Sequence, residues 1–205
     1  IFDNADIDDA IDGLMAAKFR NSGQACVAAN RIFIQRSIMD KVLNKLTSKV
    51  AGLKVANGFE DEVDIGPLIY PEAKQKVQQL INDALSKGAS LIGEQRDLGG
   101  SFQNPVIVNN VTPEMDIYHQ EVFGPVLSII PFDDEAEVLA LSNDVPYGLA
   151  AYFYSQNIKQ IYRVSEALEF GMVGVNEGVI SNPVAPFGGV KQSGLGREGG
   201  HQGLD

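Results

Sequence analysis

A chain of 205 residues, 44% of them hydrophobic, can bury a substantial core as one large or two small domains. Its net charge of −11 argues against nucleic acid and anionic membrane, which require clustered Lys and Arg, yet leaves room for a small anionic substrate met by local charge. A single cysteine excludes a disulfide framework, so the chain reads as intracellular and cytoplasmic; no apolar run approaches the ~20 residues of a membrane helix, and Ile1-Phe2-Asp3-Asn4-Ala5-Asp6 lacks the basic region and apolar core of a signal peptide.

Behind Asp6, a candidate N-cap, Ile7, Ile11, Leu14 and Met15 recur at helical spacing and predict a helix to about Phe19. The pattern breaks in Phe19-Arg20-Asn21-Ser22-Gly23-Gln24-Ala25-Cys26, which carries the only cysteine. A thiol attacks only as thiolate and only where substrate can reach it; Gly23, lacking a Cβ, lets backbone amides approach a bound carbonyl. A small buried hydrophobe is the alternative for such a cysteine.

Residues 31–35 read as a short strand. Met39, Leu43, Leu46, Val50 and Leu53 form one face of a helix that stops before Gly58. A third helix begins at Pro71, with Val77, Leu80, Ala84 and Leu85 inward and Gly88 as its C-cap. Apolar runs at residues 90–92, 106–108, 126–130, 150–154 and 172–175 predict strands, the last three separated by helices near 134–141 and 158–168. Strands alternating with helices predict an α/β fold, a largely parallel sheet flanked by helices.

Several site classes fail. His119, His201 and Cys26 are too few and too scattered to predict a metal site. Gly194-Leu195-Gly196-Arg197-Glu198-Gly199 fits the dinucleotide pattern by letter, but no strand feeds it and a βαβ unit needs ~30 residues, so a tightly turned loop is expected. Lys191 is followed by Gln192 rather than Ser or Thr, which removes a phosphate loop.

Other segments fall in a telling order: Ile65-Gly66-Pro67-Leu68, Glu121-Val122-Phe123-Gly124-Pro125, Tyr147-Gly148-Leu149-Ala150, Gly174-Val175-Asn176, and Pro186-Phe187-Gly188-Gly189-Val190-Lys191-Gln192-Ser193-Gly194. With the cysteine octet they cover essentially the whole chain and resemble the catalytic domain of aldehyde dehydrogenases. Asn176-Glu177-Gly178-Val179-Ile180-Ser181, and the run from Lys191 to Gly199, resemble the succinate-semialdehyde dehydrogenase branch.

The resemblance implies that Cys26 attacks the aldehyde carbon, forming a thiohemiacetal that passes hydride to NAD or NADP and leaves a thioester for water. The Cys26 amide would be one oxyanion donor. Glu121 would hold the nicotinamide ribose, with Phe123 beside the ring; outside this motif they read as a surface acid and a core aromatic. Asn176 would lie near the pocket floor or simply form a turn. Arg20 and Ser181 would bind the distal carboxylate of a small-molecule semialdehyde, suiting a guanidinium fork and a hydroxyl; Arg20 otherwise reads as a helix C-terminal cation.

In the resembled family a nucleotide-binding domain precedes this region and supplies the general-base glutamate and an oxyanion-hole asparagine, and a strand used in oligomerisation follows. Residues 1–205 are thus expected to be a catalytic-domain fragment, ending at Asp205 before that strand, of a parent enzyme that is a homo-oligomer, dimer or tetramer, with the cofactor bound mainly elsewhere. Some branch members carry a second cysteine two residues after the nucleophile; here Ala28 stands there, and no such internal disulfide can form. Two other classes remain: a cysteine hydrolase, for which His119 is the candidate base, and a non-catalytic folded fragment.

Overall fold

The computed structural model describes residues 1–204; Asp205 lies outside the described residues. The chain begins with α1 (Ile7–Phe19), whose first turn is closed by the Asp6 side chain accepting from the Asp8 and Asp9 amides. There follow β1 (Ile32–Gln35), α2 (Met39–Ala51) and α3 (Pro71–Ser86), which starts on Pro71, where a missing N–H costs nothing. Next come β2 (Ser90–Ile92), β3 (Val106–Asn109), the single turn α4 (Asp116–His119) and β4 (Val126–Phe132). The remainder is α5 (Glu135–Asn143), β5 (Tyr147–Gly148), β6 (Ala150–Phe153), α6 (Ile158–Ala167), β7 (Met172–Val175) and β8 (Val190–Lys191).

The main sheet runs β1-β4-β3-β2, with β1 and β3 parallel to β4 and β2 antiparallel at the edge. β4 is buried on both faces from Val126 to Ile130, as a central parallel strand must be when helices cover both sides. On one face Ile11 and Leu14 of α1 and Leu46 of α2 pack on Ile34 and Ile129. On the other, Val77, Leu80 and Ile81 of α3 meet Val106, Val108 and Ile130. A third cluster joins Phe2, Phe132, Val138, Phe153 and Val164, with Phe2 edge-on to Phe132 at 5.5 Å. β6 and β7 form a second parallel pair, and β5 pairs antiparallel with β8. The α/β class with a largely parallel sheet is therefore as expected.

The differences are local. Arg31 precedes β1, whose pairing with β4 begins at Ile32, and its guanidinium donates to the carbonyls of Leu141 and Ser142. Gly88 lies one residue beyond the α3 C-cap, Lys87, in the left-handed region at φ +103°. β4 continues through Pro131 to Phe132, a stretch paired with β1 after the β3 register has ended at Ser128, where a proline is tolerated. No helix among the described residues is long and apolar enough to cross a membrane.

Candidate active site

Immediately after α1, three consecutive residues adopt the left-handed conformation: Asn21 (φ 51°), Ser22 (φ 60°) and Gly23 (φ 76°). L-residues normally visit this region singly, and each non-glycine case costs ~1–3 kcal/mol unless its surroundings enforce it. Here they do. Asn21 Nδ2 donates to Gln24 O (2.9 Å) and Gln24 N to Asn21 O (3.0 Å). Ser22 Oγ donates to Gly66 O (3.1 Å) and accepts from Gly66 N (3.0 Å), while Gln24 Oε1 accepts from Ile69 N (2.9 Å). The Ile65–Leu68 motif is thus the buttress of the cysteine octet.

Gly23 meets the second motif. A Cβ there would sit 2.3 Å from Gly124 O, so the two backbones can touch only without a side chain. Asn30 closes the same joint, donating to Gln120 O (3.0 Å) and accepting from Val122 N (2.9 Å). Cys26 and Glu121 consequently line one cleft of about 770 Å³. Cys26 is exposed within the turn closed by Ala28 N donating to Ala25 O (3.0 Å), and its own amide donates to no other group among the described residues. Glu121 keeps its carboxylate exposed while its carbonyl accepts from Lys76 Nζ (2.7 Å). Phe123, left-handed at φ 51°, turns its ring outward, 38% exposed, and does not line that cleft.

Arg20 and Ser181, 161 residues apart in the chain, line a second small pocket of about 10 Å³ together with Ala25, Val27 and Tyr152, on the far side of the same turn. What brings them together is a side-chain-free contact: a Cβ on Gly178 would lie 2.0 Å from Gly13 O, so the 178–181 loop presses directly onto α1. Glu177 Oε1 accepts from the Gly178 and Val179 amides (2.7 and 2.9 Å) and shapes that loop. Both Arg20 and Ser181 are exposed, with no protein partner among the described hydrogen bonds and ion pairs.

Among curated proteins and solved structures the likeness is extensive. The model of the aldehyde dehydrogenase family matches residues 1–205. The chain belongs to the aldehyde dehydrogenase family. Within it, the chain is 54% identical to the mitochondrial succinate-semialdehyde dehydrogenase of Oryza sativa, covering all of this chain and 39% of that protein. It is 50% identical to the 3-sulfolactaldehyde dehydrogenase of Pseudomonas putida, covering all of this chain and 43% of that protein. The crystal structure of succinate-semialdehyde dehydrogenase from Burkholderia pseudomallei superposes with a TM-score of 0.98 at 50% identity, over all of this chain and 43% of that one. The chain thus spans about two fifths of the length of these family members.

Other candidates are placed differently. His119 lines the large cleft, but its Nε2 lies 2.6 Å from Pro113 O, and no hydrogen bond joins it to Cys26 among the described residues. Asn176 spends its side chain on the Ser155 backbone, accepting from Ser155 N and donating to Ser155 O (both 2.9 Å), which favours the turn reading over the pocket floor. The Gly194–Gly199 segment folds back on Phe187 through paired bonds with Glu198, and Arg197 Nη1 gathers the carbonyls of Gly189, Leu195 and Gly196: it is a turned loop. No group of three His, Cys, Asp or Glu side chains could hold a metal among the described residues.

Two residues escaped the motif reading. Tyr152 lines both cavities and donates its hydroxyl to Val27 O (3.0 Å), bracing the residue after Cys26. Burial pushes its phenol up to about 12, against the pull of the Arg20 guanidinium. Lys18, on α1, is 1% exposed; burial pushes its amine down to about 8, opposed by the Glu121 carboxylate. Their sequence neighbours hold no spacing signal, because both act through contacts more than 100 residues away.

Proposed function

We propose that this chain carries the nucleophile and the substrate-recognition residues of an NAD(P)-dependent enzyme that oxidises succinate semialdehyde to succinate. The observation that carries the reading is that Arg20 and Ser181 share one small pocket against the turn that presents Cys26. Cys26 Sγ forms a bond to the aldehyde carbon, and the carbonyl oxygen takes the developing negative charge beside the uncommitted Cys26 amide. Bound NAD(P) supplies the two-electron acceptor that carries this adduct to the thioester level. Water then cleaves the thioester, releasing the acid and regenerating the thiol. Arg20 offers a planar pair of donors to the distal carboxylate and Ser181 a further hydroxyl, fixing which end of the substrate faces the sulfur.

The residues present suit the cofactor at one point: the exposed Glu121 carboxylate, on the same cleft as Cys26, is an acceptor for ribose hydroxyls, with the Phe123 ring two residues on. The remaining nucleotide contacts and the base that activates water are assigned to polypeptide outside the matched two fifths of the relatives. Both relatives are named for aldehydes that also bear an acid group, which supports a cationic recognition residue.

The test uses an enzyme containing this chain and compares succinate semialdehyde with butanal, of the same carbon length and without the carboxylate. A preference of at least tenfold in kcat/KM for the acid, removed by Arg20→Ala, is the expected result. Equal use of both aldehydes would overturn the substrate assignment.

A further inference from the structure

The flanks of the segment that carries Cys26 are clasped, by Ser22 on Gly66 and by Asn30 on Gln120 and Val122. Residues 25–29 between them close on themselves, through Ala28 N donating to Ala25 O (3.0 Å), with Cys26 and Val27 as the two central residues of that turn. Among the described hydrogen bonds, a single one reaches these five residues from elsewhere in the chain. It comes from Tyr152, 125 residues away, whose hydroxyl donates to Val27 O (3.0 Å).

That one bond acts on the whole turn. Val27 O and Ala28 N belong to the same rigid peptide plane, so holding the oxygen fixes the direction of the N–H. Rotation of this plane would turn the Ala28 N–H away from Ala25 O, open the turn and swing the Cys26 side chain and amide together. The Tyr152 hydroxyl opposes that rotation.

The position of Tyr152 is itself set by strand register. On β6 it pairs with Gly174 of β7, where a Cβ would lie 3.0 Å from the Tyr152 ring and 2.8 Å from the Ile180 side chain. Gly174 thus leaves the ring its place, and the parallel pair holds it there. A phenol has one proton to donate, and burial pushes this one up to about 12, so the donor persists across ordinary assay pH. With that proton committed to Val27 O, none remains for a substrate carboxylate, although Tyr152 lines the same small pocket as Arg20 and Ser181.

We propose that Tyr152 is a positioning residue for the nucleophile: its hydroxyl locks the Ala25–Ala28 turn, and with it the direction of Cys26, and takes no part in recognising the carboxylate. The proposal rests on Cys26 being the nucleophile and not on which aldehyde it meets.

The test compares Tyr152→Phe with Tyr154→Phe in an enzyme containing this chain. Each keeps its ring and loses one hydroxyl; that of Tyr154 is buried with no hydrogen-bond partner among the described residues. Tyr152→Phe should lower kcat/KM about tenfold or more for succinate semialdehyde and butanal alike, leaving their ratio within about twofold of wild type. Hydrogen exchange at the Ala28 amide, read by mass spectrometry on peptides covering residues 24–30, should accelerate severalfold while other segments keep their rates. Tyr154→Phe should change neither. Unaltered kinetics in Tyr152→Phe would overturn the proposal, and so would a loss confined to the acid, which would make Tyr152 a recognition residue. An equal loss in Tyr154→Phe, or slowed catalysis with Ala28 exchange unchanged, would overturn it in favour of general loosening. Should wild type use both aldehydes equally, the substrate assignment fails, and the butanal arm alone still decides the role of Tyr152.

Discussion

Around Cys26, close backbone approaches and reciprocal amide bonds leave the chain one path: Gly23 touches Gly124, Ser22 clasps Gly66, and Asn30 clasps Gln120 and Val122. Around Ser181 the backbone is also tightly seated, Gly178 on Gly13, yet the side chains assigned to the substrate stand exposed, with no protein partner among the described residues. A group that makes and breaks bonds tolerates little displacement, and misplacement by ~1 Å can cost a hundredfold in rate. A group that recognises a distant charge on a flexible aldehyde needs reach more than rigidity. The two walls of the site differ accordingly.

The largest effect should come from the rigid wall. Cys26→Ala should remove aldehyde oxidation by roughly 10⁴-fold or more in an enzyme containing this chain, and brief iodoacetamide treatment of the native chain should modify Cys26, read by mass spectrometry. A thiol that reacts only after denaturation would break the assignment. Lys18 lies under the same wall. Its folded amine titrates near 8, below its ordinary 10.5, so the unfolded chain binds more protons between those values and stability should rise with pH across them. Lys18→Met should abolish that slope relative to wild type and raise stability at neutral pH by up to about 3 kcal/mol, measured by urea unfolding at several pH values.

Arg20→Ala should lower kcat/KM for succinate semialdehyde about 10- to 150-fold, as expected for loss of hydrogen bonds to a charged group, while sparing butanal. If Arg20 served only the α1 terminus, both aldehydes would suffer alike and the melting temperature would fall. Gly23→Ala should do the opposite, costing ~1–3 kcal/mol and several degrees of melting temperature and hurting both aldehydes equally, since the added methyl meets Gly124 O in a left-handed backbone. The smallest effect belongs to Ser181→Ala, a loss of about 2- to 10-fold confined to the acid, because water can replace one neutral donor.

Much of this was legible in the sequence for a physical reason. The helices from Ile7 and Pro71 announce themselves by period, cap and proline, and β4 by an unbroken apolar run; these are signals carried within each segment. The cysteine octet and the Glu121 motif were readable because tight backbone approaches demand particular residues in particular order. What escaped are features made by distant partners or by very few residues. The two-residue pair β5 and β8 has no period to detect. Nothing near Tyr152 signals that its hydroxyl braces Val27, and nothing near Lys18 signals its burial. The left-handed run at Asn21 and Ser22 is likewise invisible, since neither residue requires that conformation.

That run has a consequence for how such a protein can diversify. Arg20 stands on one side of a three-residue reversal and Cys26 on the other, so any change in the kink moves both at once. On the proposed roles, a lineage acquiring a new aldehyde could not retune an anchor at Arg20 by altering backbone there without also disturbing Cys26. The loop at 178–181 reaches the same pocket from a separate part of the chain, and its register is independent of the kink. Drift in substrate preference should therefore concentrate in that loop, with the reversal inherited unchanged.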